Sequence, residues 1–131
     1  MCGGITLGIS ARKLDQEEHK LVFKMGQVCE LPTTNGTITA RYLGSARSET
    51  LDKFWGNLIK HKVQIVAEEF LERDTKLKKD YSFVSFPTNG RTIEAVLVPS
   101  ITNDNIDRFM IATQSATDEV AKVHKRMPIL T

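Results

Sequence analysis

Cysteine is scarce in this chain: Cys2 and Cys29 are the only two. A disulfide framework needs more, and a zinc site needs a CxxC-like pair that is absent, so both are expected to be reduced thiols in a cytosolic-type protein. Long apolar runs are missing too. No window approaches a membrane span, and the opening "MCGGITLGIS" has neither the basic start nor the apolar stretch of a signal peptide. Cys at position 2 also breaks the glycine-based myristoylation pattern. The expectation is a cytoplasmic protein with no membrane partner.

Neither sign of charge is in large excess. Lys+Arg number 18 against 16 Asp+Glu, a net charge of +2, too small to mark a nucleic-acid footprint by itself. Catalytic signatures are equally thin. No GxSxG or CxxC occurs, and the Glu-x-x-His pairing of carboxylate-bridged metal helices is missing. No catalytic residue, metal or cofactor is therefore assigned. His61 and His124 are read as helix C-terminal caps, and His19 as a solvated turn residue.

What the sequence does contain is an echo. "PTTNGTI" (32–38) returns as "PTNGRTI" (87–93), and the likeness extends through "TITARYLGSARSETLDKF" (37–54) over "TIEAVLVPSITNDNIDRF" (92–109), with nine of 21 aligned pairs identical. Asn-Gly alone is ordinary hairpin chemistry, because it tolerates positive φ. "LDKF" and "IDRF" at matching distance go further and suggest a duplication.

Each copy reads as a hairpin followed by a helix. Ser48 and Asn103 are placed as N-caps. Leu51, Phe54, Trp55, Leu58 and Ile59 form one apolar stripe, and Ile106, Phe109, Met110, Ala116, Val120 and Val123 the other. "ITLGISA" supplies a first strand to unit one, and "KVQIVAEEFLE" is read as its match in unit two, although its composition also fits a helix. The predicted fold class is α+β. One domain, 1–131, holds tandem duplicated βββα units (meander plus helix) over about 4–62 and 63–126, forming an antiparallel sheet with two helices packed on one face.

Function is read as non-catalytic binding of nucleic acid or another anionic partner, such as an acidic protein surface. A protein–protein interaction or inhibitor module, or a small enzyme with an unrecognised site, are the alternatives. The loop "GSARSE" (44–49) offers a flexible glycine, a forked cation and a following helix start, a composition that suits an anion. Arg41, Arg47, Ser45 and Lys24 are thus the anion-binding candidates, with Tyr81, Lys76, Lys78 and Lys79 secondary. The first strand, lacking Pro and charge, is read as an exposed sheet edge, so a homodimer or larger homo-oligomer is expected.

Overall fold

The computed structural model of the protein describes residues 2–7, 20–74 and 83–131. Its elements, in chain order, are β1 (Cys2–Thr6), β2 (Lys20–Val22), β3 (Val28–Thr33), β4 (Gly36–Arg47), α1 (Leu51–Trp55) with a 3-10 turn (Gly56–Leu58), β5 (His61–Ile65), β6 (Glu69–Arg73), β7 (Phe83–Pro87), β8 (Ile93–Val98), β9 (Arg108–Ser115), α2 (Asp118–Ala121) and β10 (Arg126–Pro128). Strands take 54% of the described residues and helical turns 11%. The α+β expectation is therefore wrong: this is a mostly β fold. Among the described residues no helix is long and apolar enough to cross a membrane.

Two sheets form. One runs β2-β1-β6-β7 and is antiparallel throughout. The other runs β10-β9-β4-β3-β5-β8, and β8 pairs with β9 as well, so five of its strands close into a ring. Within it β4 and β9 are parallel and the remaining pairs antiparallel. The larger core cluster includes Cys2, Ile5 and Phe70 from the first sheet with Leu31, Tyr42, Ile65, Phe109 and Ile111 from the second. A smaller cluster on the opposite side of β4, β8 and β9 comprises Ala46, Val96, Val98, Met110 and Ala112, with Leu51 of α1.

The internal repeat is not supported, and the two copies show why. Around Asn35-Gly36 the chain makes the expected hairpin, with β3 and β4 in register from Val28↔Arg41 to Thr33↔Gly36 and Gly36 at φ 105°. Asn89-Gly90 has the same turn chemistry, at φ 54° and 80°, yet its flanking strands never pair. β7 joins β6 and β8 joins β5. The Thr88 hydroxyl, 2.7 Å from the Ala67 carbonyl oxygen, ties this turn to the first sheet, so the chain crosses between sheets instead of folding back.

The second predicted helix fails for a related reason. "RFMIATQS" is strand β9, with Phe109 and Ile111 in the larger cluster and Met110 and Ala112 in the smaller. A strand buried on both faces reads as an unbroken apolar run, which periodicity cannot separate from a helix. Phe109 is 0% exposed, whereas its aligned partner Phe54 is 67% exposed on α1. The strand reading of 63–71 stands as two strands, β5 and β6, with a break between them. Nor is β1 an edge. It is flanked by β2 and β6, which removes the argument for self-association, and "RDTKLKKD" (73–80) falls mostly outside the described residues.

Candidate functional site

β1 begins with a cysteine aimed into the core. Gly3 and Gly4 make this placement possible: a Cβ on Gly4 would lie 2.3 Å from the Leu21 carbonyl oxygen, and one on Gly3 would lie 2.4 Å from the Phe83 ring. Only bare backbone passes there. A register shift between Cys2 and Gly4 then sets Cys2 opposite Glu72 of β6. The Cys2 thiol donates to the Gly4 carbonyl at 3.3 Å, and the Tyr42 hydroxyl donates to the Cys2 carbonyl at 3.4 Å.

His124 completes the cluster from the far end of the chain. Its Nδ1 lies 4.0 Å from Glu72 Oε2. The same Nδ1 lies 3.0 Å from the Arg126 backbone nitrogen and 3.2 Å from the Arg126 carbonyl oxygen. Three ionisable types from β1, β6 and the turn after α2 thus meet at a largely buried point.

Burial governs their electrostatics. It pushes the Cys2 thiol up to about 12, with the Glu72 charge adding to the effect. It raises the Glu72 carboxyl to about 7, so this acid holds a proton for much of the time near neutrality. It lowers His124, which favours the neutral ring. Tyr42, also raised to about 12 chiefly by burial, has the Ser45 hydroxyl acting in the opposite direction. The cluster resists charge, the condition under which a proton donor and a thiol coexist at neutral pH.

One irregularity in β4 decides which of its side chains share a face with Tyr42, whose hydroxyl reaches Cys2. Tyr42 pairs with Phe109 but Gly44 pairs with Met110, so Leu43 is an extra residue, and Gly44 takes φ 117°. A bulge of this kind inverts the alternation beyond it. Ser45 is consequently opposite Ile111 and Arg47 opposite Thr113, on the larger cluster's side, whereas Ala46 joins the smaller cluster. Arg126 converges on the same Thr113, donating to its carbonyl at 2.8 Å, and also binds the Glu49 carboxylate at 3.0 Å.

The bulge separates two residues that simple alternation places together. Arg47 is exposed at the end of β4. Arg41 precedes the bulge and is occupied elsewhere, donating to the Gly26 carbonyl at 2.8 Å and to the Asp104 carboxylate. Lys24 is exposed in the turn between β2 and β3. Tyr81, Lys76, Lys78, Lys79 and His19 lie outside the described residues. Ser48 and Asn103 cap no helix; α1 starts after Thr50 and Glu49 binds Arg126. His61 opens β5, where it lines a cleft of about 350 Å³ with Thr34, Asn35, Lys62 and Gln64. Among the described residues no group of His, Cys, Asp and Glu is arranged to hold a metal.

Sequence reasoning missed Cys2, Glu72 and His124 as a unit. Spacing carries no signal for residues so far apart. The available hint was local: in "EFLER" the acid Glu72 shares the alternation of Phe70, which places a carboxyl on an apolar face.

Comparison with known proteins gives three results. The family model described as SOS response associated peptidase (SRAP) matches residues 6–131, a range that contains Glu72 and His124 and begins after Cys2. The fold is shared with a crystal structure of a phage-related protein from Bordetella bronchiseptica, at a TM-score of 0.56 and 14% identity, covering 98% of this chain and 76% of that one. No curated protein sequence matches.

Proposed function

The chain belongs to the SOS response associated peptidase family, and we propose that it acts on damaged DNA by capturing an aldehyde, such as that of an abasic sugar, at Cys2. The observation that carries this reading is the meeting of Cys2, Glu72 and His124, with Arg126 bonded to His124 through its backbone and meeting Arg47 at Thr113, a pair we read as a cationic rim. Cations at the rim suit a phosphate backbone. A ring-opened abasic sugar is the aldehyde that DNA damage supplies.

The chemistry is that of a 1,2-aminothiol. The α-amine of Cys2 adds to the aldehyde carbon, water leaves to give a C=N bond, and the thiol adds to the same carbon with its proton passing to nitrogen. The product is a five-membered thiazolidine, and one water is released. This sequence requires a free amine on Cys2, hence removal of Met1. Glu72, which holds a proton for much of the time near neutrality, is suited to donate to the departing hydroxyl, with the His124 imidazole beside it.

Peptide hydrolysis, which the family's name denotes, would use the same Cys2 thiol as its nucleophile, and burial disfavours the thiolate in either reaction. The non-catalytic part of the sequence reading has no support. A denaturing gel with an abasic-site oligonucleotide tests the proposal. The expected result is a heat-stable shifted band with the native chain, none with Cys2→Ala and none with an intact strand. Intact-mass analysis should show Met1 missing. Reversible binding with no covalent band would refute the capture chemistry.

A further inference from the structure

Resting on the reading of Arg47 and Arg126 as a cationic rim for DNA, we propose that Glu49 is a built-in competitor for the strand: its carboxylate occupies the phosphate position on Arg126 until a backbone phosphate displaces it.

The two partners of this ion pair are held very differently. The Arg126 side chain is 13% exposed. One edge of its guanidinium is fixed by the Thr113 carbonyl at 2.8 Å and the Thr113 hydroxyl at 3.3 Å, with the Ser115 hydroxyl at 3.5 Å. Its remaining reach goes to Glu49, with Nη2 at 3.0 Å and 3.3 Å from the two carboxylate oxygens and Nη1 at 3.3 Å from one of them. Glu49 lies in the link between β4 and α1, and its side chain is 53% exposed. Its carboxylate also accepts a 3.4 Å bond from the neighbouring Ser48 hydroxyl and one from its own backbone N–H.

A positioned cation thus faces an anion standing in solvent. Arg126 holds the Glu49 carboxyl below its usual range, so the carboxylate is present at neutral pH. A phosphodiester presents two oxygens in the geometry that a carboxylate presents, and an arginine fork binds either in the same two-pronged way. Exchange of one anion for the other preserves the hydrogen bonds of Arg126 and releases Glu49 to water. Arg47, two residues from Glu49, gives a strand an advantage that an isolated phosphate lacks. A polyanion spans both arginines, whereas a small anion must displace Glu49 for a single contact. In a chain of net charge +2, such a competitor selects for a continuous backbone over scattered anions.

Fluorescence anisotropy with an undamaged single-stranded oligonucleotide isolates this step from covalent capture. Glu49→Gln should bind about tenfold tighter than the native chain, and Glu94→Gln, which removes the same charge elsewhere, should stay within about twofold. In an Arg126→Ala background the Glu49→Gln gain should vanish. An equal gain from Glu94→Gln, or one that persists without Arg126, would show a general charge effect and overturn the proposal. Weaker binding by Glu49→Gln would make Glu49 a strut for Arg126 and overturn the proposal as well. Failure of every variant and the native chain to bind would overturn the DNA reading beneath it, and the competitor with it.

Discussion

The two faces of the β4–β9 pair are built to opposite specifications. On one, Ala46, Met110 and Ala112 meet Leu51 of α1 in a small apolar cluster. On the other lie Tyr42, Ser45, Arg47 and Thr113, with the Tyr42 hydroxyl on the Cys2 carbonyl, and burial raises or lowers the ionisation of Cys2, Glu72 and His124 at once. A single extra residue at Leu43 decides which side chains serve which face. Polar function can therefore be concentrated on one side of a strand without changing its composition, because the bulge, and not the residue types, does the sorting.

The comparison breaks most visibly at its aromatic residues. Phe109 packs against Phe23 and Tyr42, with ring centroids at 5.5 Å and 5.3 Å, so Phe109→Ala should cost about 3–5 kcal/mol in chemical denaturation. Phe54, on the outer side of α1, should change stability by less than about 0.5 kcal/mol when truncated. Equal costs would mean that both faces are sealed alike.

Titration sharpens the contrast next. Glu72 rises from an ordinary 4.5 to about 7 on folding, so the folded state binds the proton more tightly than the unfolded one. Its favourable contribution is full below about pH 4.5 and is lost as pH rises through 7. Relative to Glu72→Gln, the native chain should lose about 3 kcal/mol between these limits. Parallel stability profiles for the two proteins would contradict the buried, protonated acid.

The bulge itself is open to attack through Gly44. At φ 117° a β-branched side chain is strained, and Gly44→Val should destabilise by about 1–3 kcal/mol. DNA affinity should fall with it, because Ser45 and Arg47 lose their placement. Retained affinity at normal stability would mean that the bulge does not aim them. The smallest expected effect separates the two arginines. Arg47→Ala should weaken oligonucleotide binding about tenfold, roughly 1.4 kcal/mol, with no change in Tm. Arg41→Ala should leave affinity within about twofold, because its fork is already engaged by Gly26 and Asp104. Identical losses from the two would return them to one surface.

Much of the first half was legible. The Asn35-Gly36 hairpin and the inward Ile5 and Leu7 follow from turn chemistry and alternation, whereas the strand reading of 63–71 rests on the supposed repeat and is right for a reason that the structure does not support. The second half misled because similar letters met different neighbours. Thr88 is captured by the Ala67 carbonyl, and no local pattern announces a partner 21 residues away. Ser45 and Arg47 were singled out through the composition of their loop, but pairing Arg47 with Arg41 assumed an unbroken strand. Cys2 looked unremarkable beside Met1, and His124 looked like a helix cap. His124 does follow α2, with its N–H on the Val120 carbonyl at 2.9 Å, so its local setting was legible while its role toward Glu72 was invisible.

The strands that carry the site also govern when it can exist. Cys2 comes from the first strand and His124 from the turn before the last, where Ile129 bonds back to the Ala112 carbonyl at 3.0 Å and Thr131 and Thr92 exchange backbone bonds at 2.8 Å and 2.9 Å. Contacts of such long sequence separation form late, since the chain must close its largest loops before they contribute. A nascent or partly folded chain therefore holds Cys2 without Glu72 and His124 beside it. The three-residue cluster is assembled only when the whole topology is, so local opening at β10 would disperse it before the rest of the fold is lost.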